Sequence, residues 1–282
     1  MNIKRRVLSI LPDFIKSKIK DWHDTSEIGE FTSLKSQNCF TRNLISSKDV
    51  NLFEIFNSED IHSLWSKSKM EMDFYNIPDG TGGVNPGDRR ALYYLISKFK
   101  PTSILEVGTH IGASTIHIAT ALKAIGIKAN LTTLDIRDVN STSYKPWLEY
   151  GAKYSPSQMI EGLGYGAFVN FVTNTSFSFF ETTQEKYDFI FLDGDHSAST
   201  VYKEIPFALK ALNKNGVILL HDYFPNGKPL WSNNQVISGP YNATERFISE
   251  GADLIVLPLG DLPWATKFGS NITSLALLVK KS

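Results

Sequence analysis

From Asp88 onward, short apolar runs alternate with longer segments in which apolar residues recur every three to four positions. Runs of roughly four to eight apolar residues bounded by turn residues predict buried strands, and a 3.6-residue period predicts helices. The runs place strands over 103–107, 131–135, 168–173, 189–192, 217–220, 254–257 and 274–279. The periodic segments place helices over 89–98, 113–124, 200–212 and 243–250. Such alternation predicts an α/β domain, a Rossmann-like and mostly parallel seven-stranded sheet with helices on both faces. The last two strands, separated by Gly260, Pro263 and Gly269, read as a terminal hairpin. Residues 1–71 differ: they are polar, serine-rich and weakly periodic, with short helices expected near 49–56 and 61–65. They are read as a helical extension, a lid or an oligomerisation element, ahead of a domain spanning 72–282. Gly80, Gly82 and Gly83 form a joint between the two that suits a moving loop.

The polar residues that interrupt the pattern cluster at the carboxyl ends of the expected strands, where open α/β sheets bind ligands. The run from Ser103 reaches Glu106, then a turn with Gly108 and Gly112 on either side of His110. A loop for dinucleotide phosphates uses G-x-G-x-x-G so that its amides approach a pyrophosphate. The middle glycine is missing here, which favours a cofactor without a pyrophosphate, S-adenosylmethionine. Its ribose needs a carboxylate about 20 residues beyond such a turn, and Asp135 stands 23 residues after Gly112 at the end of the next strand. A further strand ends in Asp193, Asp195 and His196, and another in His221 and Asp222. Carboxylates and imidazoles from neighbouring strands suit a divalent cation, and His196 is the residue type suited to taking a proton from a hydroxyl. The plainer alternatives are that Asp195 or Ser197 caps the following helix, and that His221 is a satisfied core histidine.

The same residues carry a family resemblance. Glu106 to Ser114 resembles the first motif of the cation-dependent class I O-methyltransferases, the group containing catechol O-methyltransferase. Asn85 to Asp88 resembles the N-x-G-D segment that lies over the cofactor in that group. Asp193 to His196, with His221 to Tyr223, resembles bacterial sugar and small-molecule O-methyltransferases, including the macrocin and novobiocin tailoring enzymes. The resemblance runs from Val84 to the C-terminus, with four motifs in the expected order. It implies an antiparallel last strand. It also implies that Asn85 and Gly87 contact the methionine part of the cofactor from above, that Glu106, Gly108 and Ser114 line its amino-acid end, and that Asp135 holds the ribose. Thr175 and Ser176 then fall in a loop near the adenine. Asp193 matches the first metal carboxylate and borders the cofactor, His221 and Asp222 match the paired metal ligands, and His196 stands with Asp195 in the catalytic set. Two departures stand out. His221 replaces the usual acidic ligand, which implies either a site weak in magnesium or one that prefers a softer ion, and His196 replaces a basic lysine.

Composition narrows the partners. The 282 residues hold 29 acidic and 29 basic side chains, which argues against nucleic acid as a partner. The single cysteine, Cys39, excludes an internal disulfide and fits a reducing, cytoplasmic setting. No apolar run reaches the roughly 20 residues of a membrane span. Residues 1–22 are basic and amphipathic but broken at Pro12, unlike a signal peptide. They fit either peripheral membrane contact or packing on a partner subunit or over the site, and a homo-oligomer is expected. Segments 144–165 and 224–241 carry Trp147, Tyr150, Tyr154, Tyr165 and Trp231, suited to stacking on an acceptor and equally to local core. The expected function is O-methylation of a small-molecule hydroxyl, a sugar or glycosylated natural product, with S-adenosylmethionine and a divalent cation, Mg2+ by resemblance. The alternatives are metal-free methyl transfer, a nicotinamide-dependent oxidoreductase, and a non-catalytic binding module.

Overall fold

Apolar residues on both faces let the central strands run side by side under helices. The computed structural model describes residues 12–29, 40–81 and 83–281. In chain order the helices are α1 (Asp13–Gly29), α2 (Leu52–Phe56), α3 (Glu59–Asp73), α4 (Pro86–Phe99), α5 (Ala113–Ala124), α6 (Pro156–Gly162), α7 (Ser176–Thr182), α8 (Ala198–Ala211) and α9 (Gly239–Ser249). The strands are β1 (Ser103–Val107), β2 (Asn130–Asp135), β3 (Val169–Thr173), β4 (Tyr187–Leu192), β5 (Leu212–Leu220), β6 (Ile255–Pro258) and β7 (Ala276–Val279). They form one seven-stranded sheet in the order β3-β2-β1-β4-β5-β7-β6. β1 to β5 pair in parallel, and β7 runs antiparallel to both its neighbours.

Side-chain alternation along the strands divides the core in two. On β1 and β4, Ile104, Phe189 and Phe191 pack with α4 and α5, while Leu105, Val107, Ile190 and Leu192 pack with α8 and α9. Glu106 shares the first face and is wholly buried. Register then aligns the carboxyl ends: Val107 lies opposite Leu134 and Leu192, and Leu192 opposite Leu220. The residues that follow these four positions therefore meet at one edge.

The first 73 residues hold more helix than their sequence predicts. α3 is a continuous 15-residue helix capped by Ser58, whose hydroxyl accepts from the Ile61 amide. Its inward positions include Ile61, Leu64, Trp65, Ser68 and Met72, and the serine and flanking lysines hide the stripe from a hydropathy reading. The chain before it is stitched to the sheet: Ile45 donates to Gly216 O at 2.9 Å and accepts from Lys280 N at 2.9 Å. Ile55, Phe56 and Ile61 belong to the main core. α1 lies across α8 and α9, with Ile28 buried and Asn242 donating to Thr25 at 3.1 Å. Residues 1–11, half of the segment read as fitting either membrane contact or packing on a partner subunit or over the site, lie outside the described residues, as do Cys39 and Gly82. No helix of the described residues is long and apolar enough to cross a membrane. Trp147, Tyr165 and Trp231 are core side chains rather than a rim; the Tyr165 hydroxyl accepts from the Ala129 amide and donates to Ile127 O.

Candidate active site

The turn after β1 is shaped by close backbone approach. Gly108 has φ +102°, and a Cβ there would collide with the Asp193 carbonyl, so no other residue fits without moving β4. The Gly108 amide donates to Leu134 O at 2.8 Å, tying the turn to the end of β2. His110 follows in the left-handed region at φ +50°. Its amide donates to Asp135 Oδ2 at 2.9 Å, and the Arg137 amide donates to Asp135 Oδ1 at 3.0 Å. Each Asp135 oxygen thus keeps acceptor capacity for a ligand hydroxyl. Gly112, at φ +76°, opens α5, which carries the buried Ser114 and Thr115.

Glu106 Oε2 accepts from Thr115 and Thr133 hydroxyls, both at 2.6 Å, while Oε1 is buried without a partner. Burial pushes its carboxyl up to about 7, helped by the charge of Asp193 and opposed by the neighbouring Ser114, Thr115 and Thr133 hydroxyls, of which Thr115 and Thr133 are within hydrogen-bond geometry of Oε2. An unsatisfied buried acceptor costs about 1–3 kcal/mol, and an ammonium donor from a ligand would complete it. That oxygen is the feature that fits the amino-acid end of S-adenosylmethionine.

A cavity of about 530 Å³ opens along this edge, within the usual range for a small-molecule site. Of the residues singled out from sequence, Gly108, Asp135, Thr175, Ser176, Asp193, Asp195 and His196 line it. Asn85, Gly87, Glu106, Ser114, His221 and Asp222 do not line it. Asn85 caps α4, accepting from the Gly87 and Asp88 amides. Gly87 packs on the 264–266 backbone, where a Cβ would clash, and its carbonyl accepts from Trp264 at 2.9 Å. Thr175 and Ser176 do not form a loop: Thr175 caps α7 and Ser176 is its first residue.

Beyond β4 and β5 the titratable groups converge. Asp193, His196 and His221 bring one ligand atom each to within 4.8 Å of one another, the arrangement of a metal site. His221 is the centre: Nδ1 lies 2.6 Å from Asp193 Oδ1 outside hydrogen-bond alignment, and Nε2 lies 3.4 Å from Asp88 Oδ2. Asp222, in the left-handed region at φ +51°, places Oδ2 3.4 Å from His196 Nε2 and 3.8 Å from His221 Nδ1. Burial alone would lower the His221 imidazole, but Asp222 and Asp193 outweigh it and hold it well above its ordinary range. For Asp222 burial pulls upward, and His221, His196 and Lys267 keep its carboxyl below the usual value. Buried nitrogens without aligned partners, beside carboxylates, fit a borderline divalent ion. Geometry thus joins His196 to the Asp193–His221 pair and leaves Asp222 flanking both imidazoles. Asp195 is occupied differently, accepting from the Ser197 amide and hydroxyl and from Thr200. Burial would raise it, yet these donors hold its carboxyl below the usual range.

Three participants escaped the sequence reading. His110 was legible only as a spacer between glycines, although its backbone fixes Asp135. Asp88, buried and in contact range of His221, sits in the N-x-G-D segment without an expected role. Glu204 lines the cavity from α8; its signal was a carboxylate on an otherwise apolar helix face.

Residues 105–223 match the family model described as a methyltransferase domain, a span that holds every strand-end residue from Glu106 to Asp222. A protein of Mycobacterium sp. (strain JLS), named "Putative O-methyltransferase", is 25% identical over 187 residues, 64% of this chain and 77% of its own length. Among solved structures, an O-methyltransferase from Bacillus cereus in complex with SAH has a TM-score of 0.51 at 20% identity, covering 78% of this chain and 91% of its own. An O-methyltransferase from Streptomyces achromogenes involved in tomaymycin synthesis, in complex with SAM, has a TM-score of 0.50 at 17% identity, covering 81% of this chain and 98% of its own. These structural likenesses establish the fold.

Proposed function

We propose that this chain, a class I S-adenosylmethionine-dependent O-methyltransferase, methylates a small-molecule hydroxyl with the help of a divalent cation. The observation that carries the reading is Asp193, which lines the cofactor-sized cavity and also touches His221 in the titratable cluster. Donor and acceptor sites therefore share a wall. Asp135 receives the ribose hydroxyls, and the unpartnered Glu106 Oε1 receives the cofactor ammonium. When bound, the cofactor supplies the methyl group, and a cation held by Asp193, His221 and Asp222 supplies a lowered pKa at the acceptor hydroxyl.

His196 takes the hydroxyl proton on Nε2, and the resulting imidazolium is stabilised by Asp222 Oδ2 at 3.4 Å. Asp195 serves by position: with its oxygens bound to Ser197 and Thr200, it holds the loop that carries His196. Holding acceptor oxygen and methyl carbon in line accounts for much of the rate. The acceptor class, a sugar or glycosylated natural product, rests on the likeness of Asp193 to His196 and His221 to Tyr223 to sugar-tailoring enzymes.

A second assignment has its own observation. The compact Asp193, His196 and His221 cluster favours His196 as a ligand, with Asp222 as the base. Titration of the His196→Ala protein with Mn2+ separates the two. Unchanged metal affinity with lost turnover supports His196 as the base, and lost metal affinity makes it a ligand. Exhaustive chelation tests the metal itself: turnover should vanish while SAH affinity persists. Full activity after chelation would remove the cation from the proposal.

A further inference from the structure

One carboxylate of α8 stands on its inward face. Glu204 is 2% exposed, on the helix side that buries Val201, Ile205 and Ala208. An ionised group there carries a desolvation cost of several kcal/mol unless something compensates. Glu204 nonetheless faces the cavity, alongside Thr200 one turn earlier and Ser176 from the start of α7. The two helices are held together there by aromatic packing, with Phe177 and Phe207 ring centroids 6.3 Å apart. Glu204 also borders a small pocket beside His196 and His221, yet no hydrogen bond or ion pair among the described residues ties its carboxyl to that cluster or to the turn after β1.

We propose that Glu204 reads the nucleobase of the bound cofactor, its carboxyl accepting from the exocyclic amine of adenine and facing the adjacent ring nitrogen. The inference rests on the cofactor assignment above. With the ribose at Asp135 and the amino-acid end at Glu106 and Gly108, the cavity wall left for the base combines Ile136 and Phe177 with Ser176, Thr200 and Glu204. A purine needs such a wall, apolar for its faces and polar for one edge. Adenine presents a donor beside an acceptor on that edge, and a carboxylic acid presents the complementary pair. Burial pushes the Glu204 carboxyl up to about 7, opposed by a hydrogen bond from Ser176 and assisted by the charge of Asp195. The acid form that donates as well as accepts is thus populated near neutrality.

A site built to hydrogen-bond a ligand group rejects the analogue that lacks it, because its own buried polar atoms are left unpaired. Calorimetric titration of the full chain with SAH and with its analogue bearing hydrogen in place of the 6-amino group measures that preference. The wild type should favour the amino ligand by at least about tenfold. Glu204→Ala should bind the two within about threefold of each other, and Glu204→Gln, which keeps an acceptor and a donor, should retain the preference. A purely structural glutamate would weaken both ligands equally, and an unchanged preference in Glu204→Ala overturns the assignment. Glu204→Met provides the same comparison with a side chain of matched length should the alanine variant not fold. A wild type that binds no SAH overturns the cofactor reading and this one together, whereas SAH binding without a Glu204-dependent preference overturns this one alone.

Discussion

β4 carries an aspartate near each end, and the two are used in opposite ways. Asp188, near the amino end, is saturated: Oδ2 accepts from the Thr102 amide at 2.8 Å, the Thr102 hydroxyl at 2.7 Å and the Ser103 amide at 3.1 Å, and Oδ1 accepts from Asn213 at 2.8 Å. Burial would raise its carboxyl, but these donors hold it below the usual range. Asp193, just past the carboxyl end, meets two imidazoles and a cavity instead. No backbone amide of the described residues donates to its carboxylate. A carboxylate surrounded by fixed donors clamps chain segments together, here the start of β1 to β4 and β5. A carboxylate facing titratable groups and open space keeps its charge available for a ligand.

The largest expected contrast is in turnover. Asp193→Asn should lower kcat by about 10²–10⁴-fold, the scale of losing a positioned catalytic group, in a folded protein, and added metal should restore part of it. Assay across a metal titration checks this, and near-wild-type turnover would dissolve the distinction between the two aspartates. Glu106 sharpens it, being saturated at one oxygen and unpartnered at the other. Its folded carboxyl stands at about 7 against an ordinary 4.5, so the folded state holds the proton more tightly than the unfolded chain. Its contribution to stability is complete below about pH 4.5 and is lost as pH rises through about 7, with a slope of at most about 1.4 kcal/mol per pH unit. Urea midpoints between pH 4 and 8 should show this decline, and Glu106→Gln should remove its share, leaving the similar contribution of Glu204.

Asp188→Ala is expected to cost about 1.5–3 kcal/mol of stability, toward the lower end because the site is partly exposed, with kcat unchanged. Chemical denaturation beside an activity assay measures both, and a kinetic defect at equal stability would contradict the clamp. The smallest effect is at Asp135, whose oxygens already hold two amides. Asp135→Ala should weaken SAH binding at least about tenfold, about 1.4 kcal/mol, with little change in thermal midpoint. Calorimetry and a melting curve separate those outcomes.

Residue by residue, legibility follows the same division. The strand-end placement of Asp135 was readable because its spacing from Gly112 reflects one helix and one strand of chain. The placement of Asp193, His221 and Asp222 beyond β4 and β5 was readable because each interrupts an apolar run. Asp188 interrupts the same run as Asp193, and nothing local distinguishes a saturated carboxylate from a reactive one. The pairing of His196 with the Asp193–His221 contact depends on where two loops converge. The close approach of Gly87 to Ala265 and Thr266 was not legible at all, because those residues lie far along the chain.

By itself the sequence determined the seven strands and the four longer helices of the sheet domain, α4, α5, α8 and α9, because burial on both faces of a parallel sheet requires unbroken apolar runs and burial on one face of a helix requires a 3.6-residue stripe; the short α6 and α7 offer too few turns to show that stripe. It also determined that polar chemistry gathers at strand ends, the positions where an apolar run can stop without burying a charge. Only the tertiary structure decided which charges are satisfied. That depends on strand register, on loops crossing between β1, β2 and β4, and on helices from distant segments closing over the sheet edge. It is why α3 and Glu204 emerged from packing: a polar residue inside a mixed stripe is assigned to core, solvent or cavity only by the neighbours that the fold brings against it.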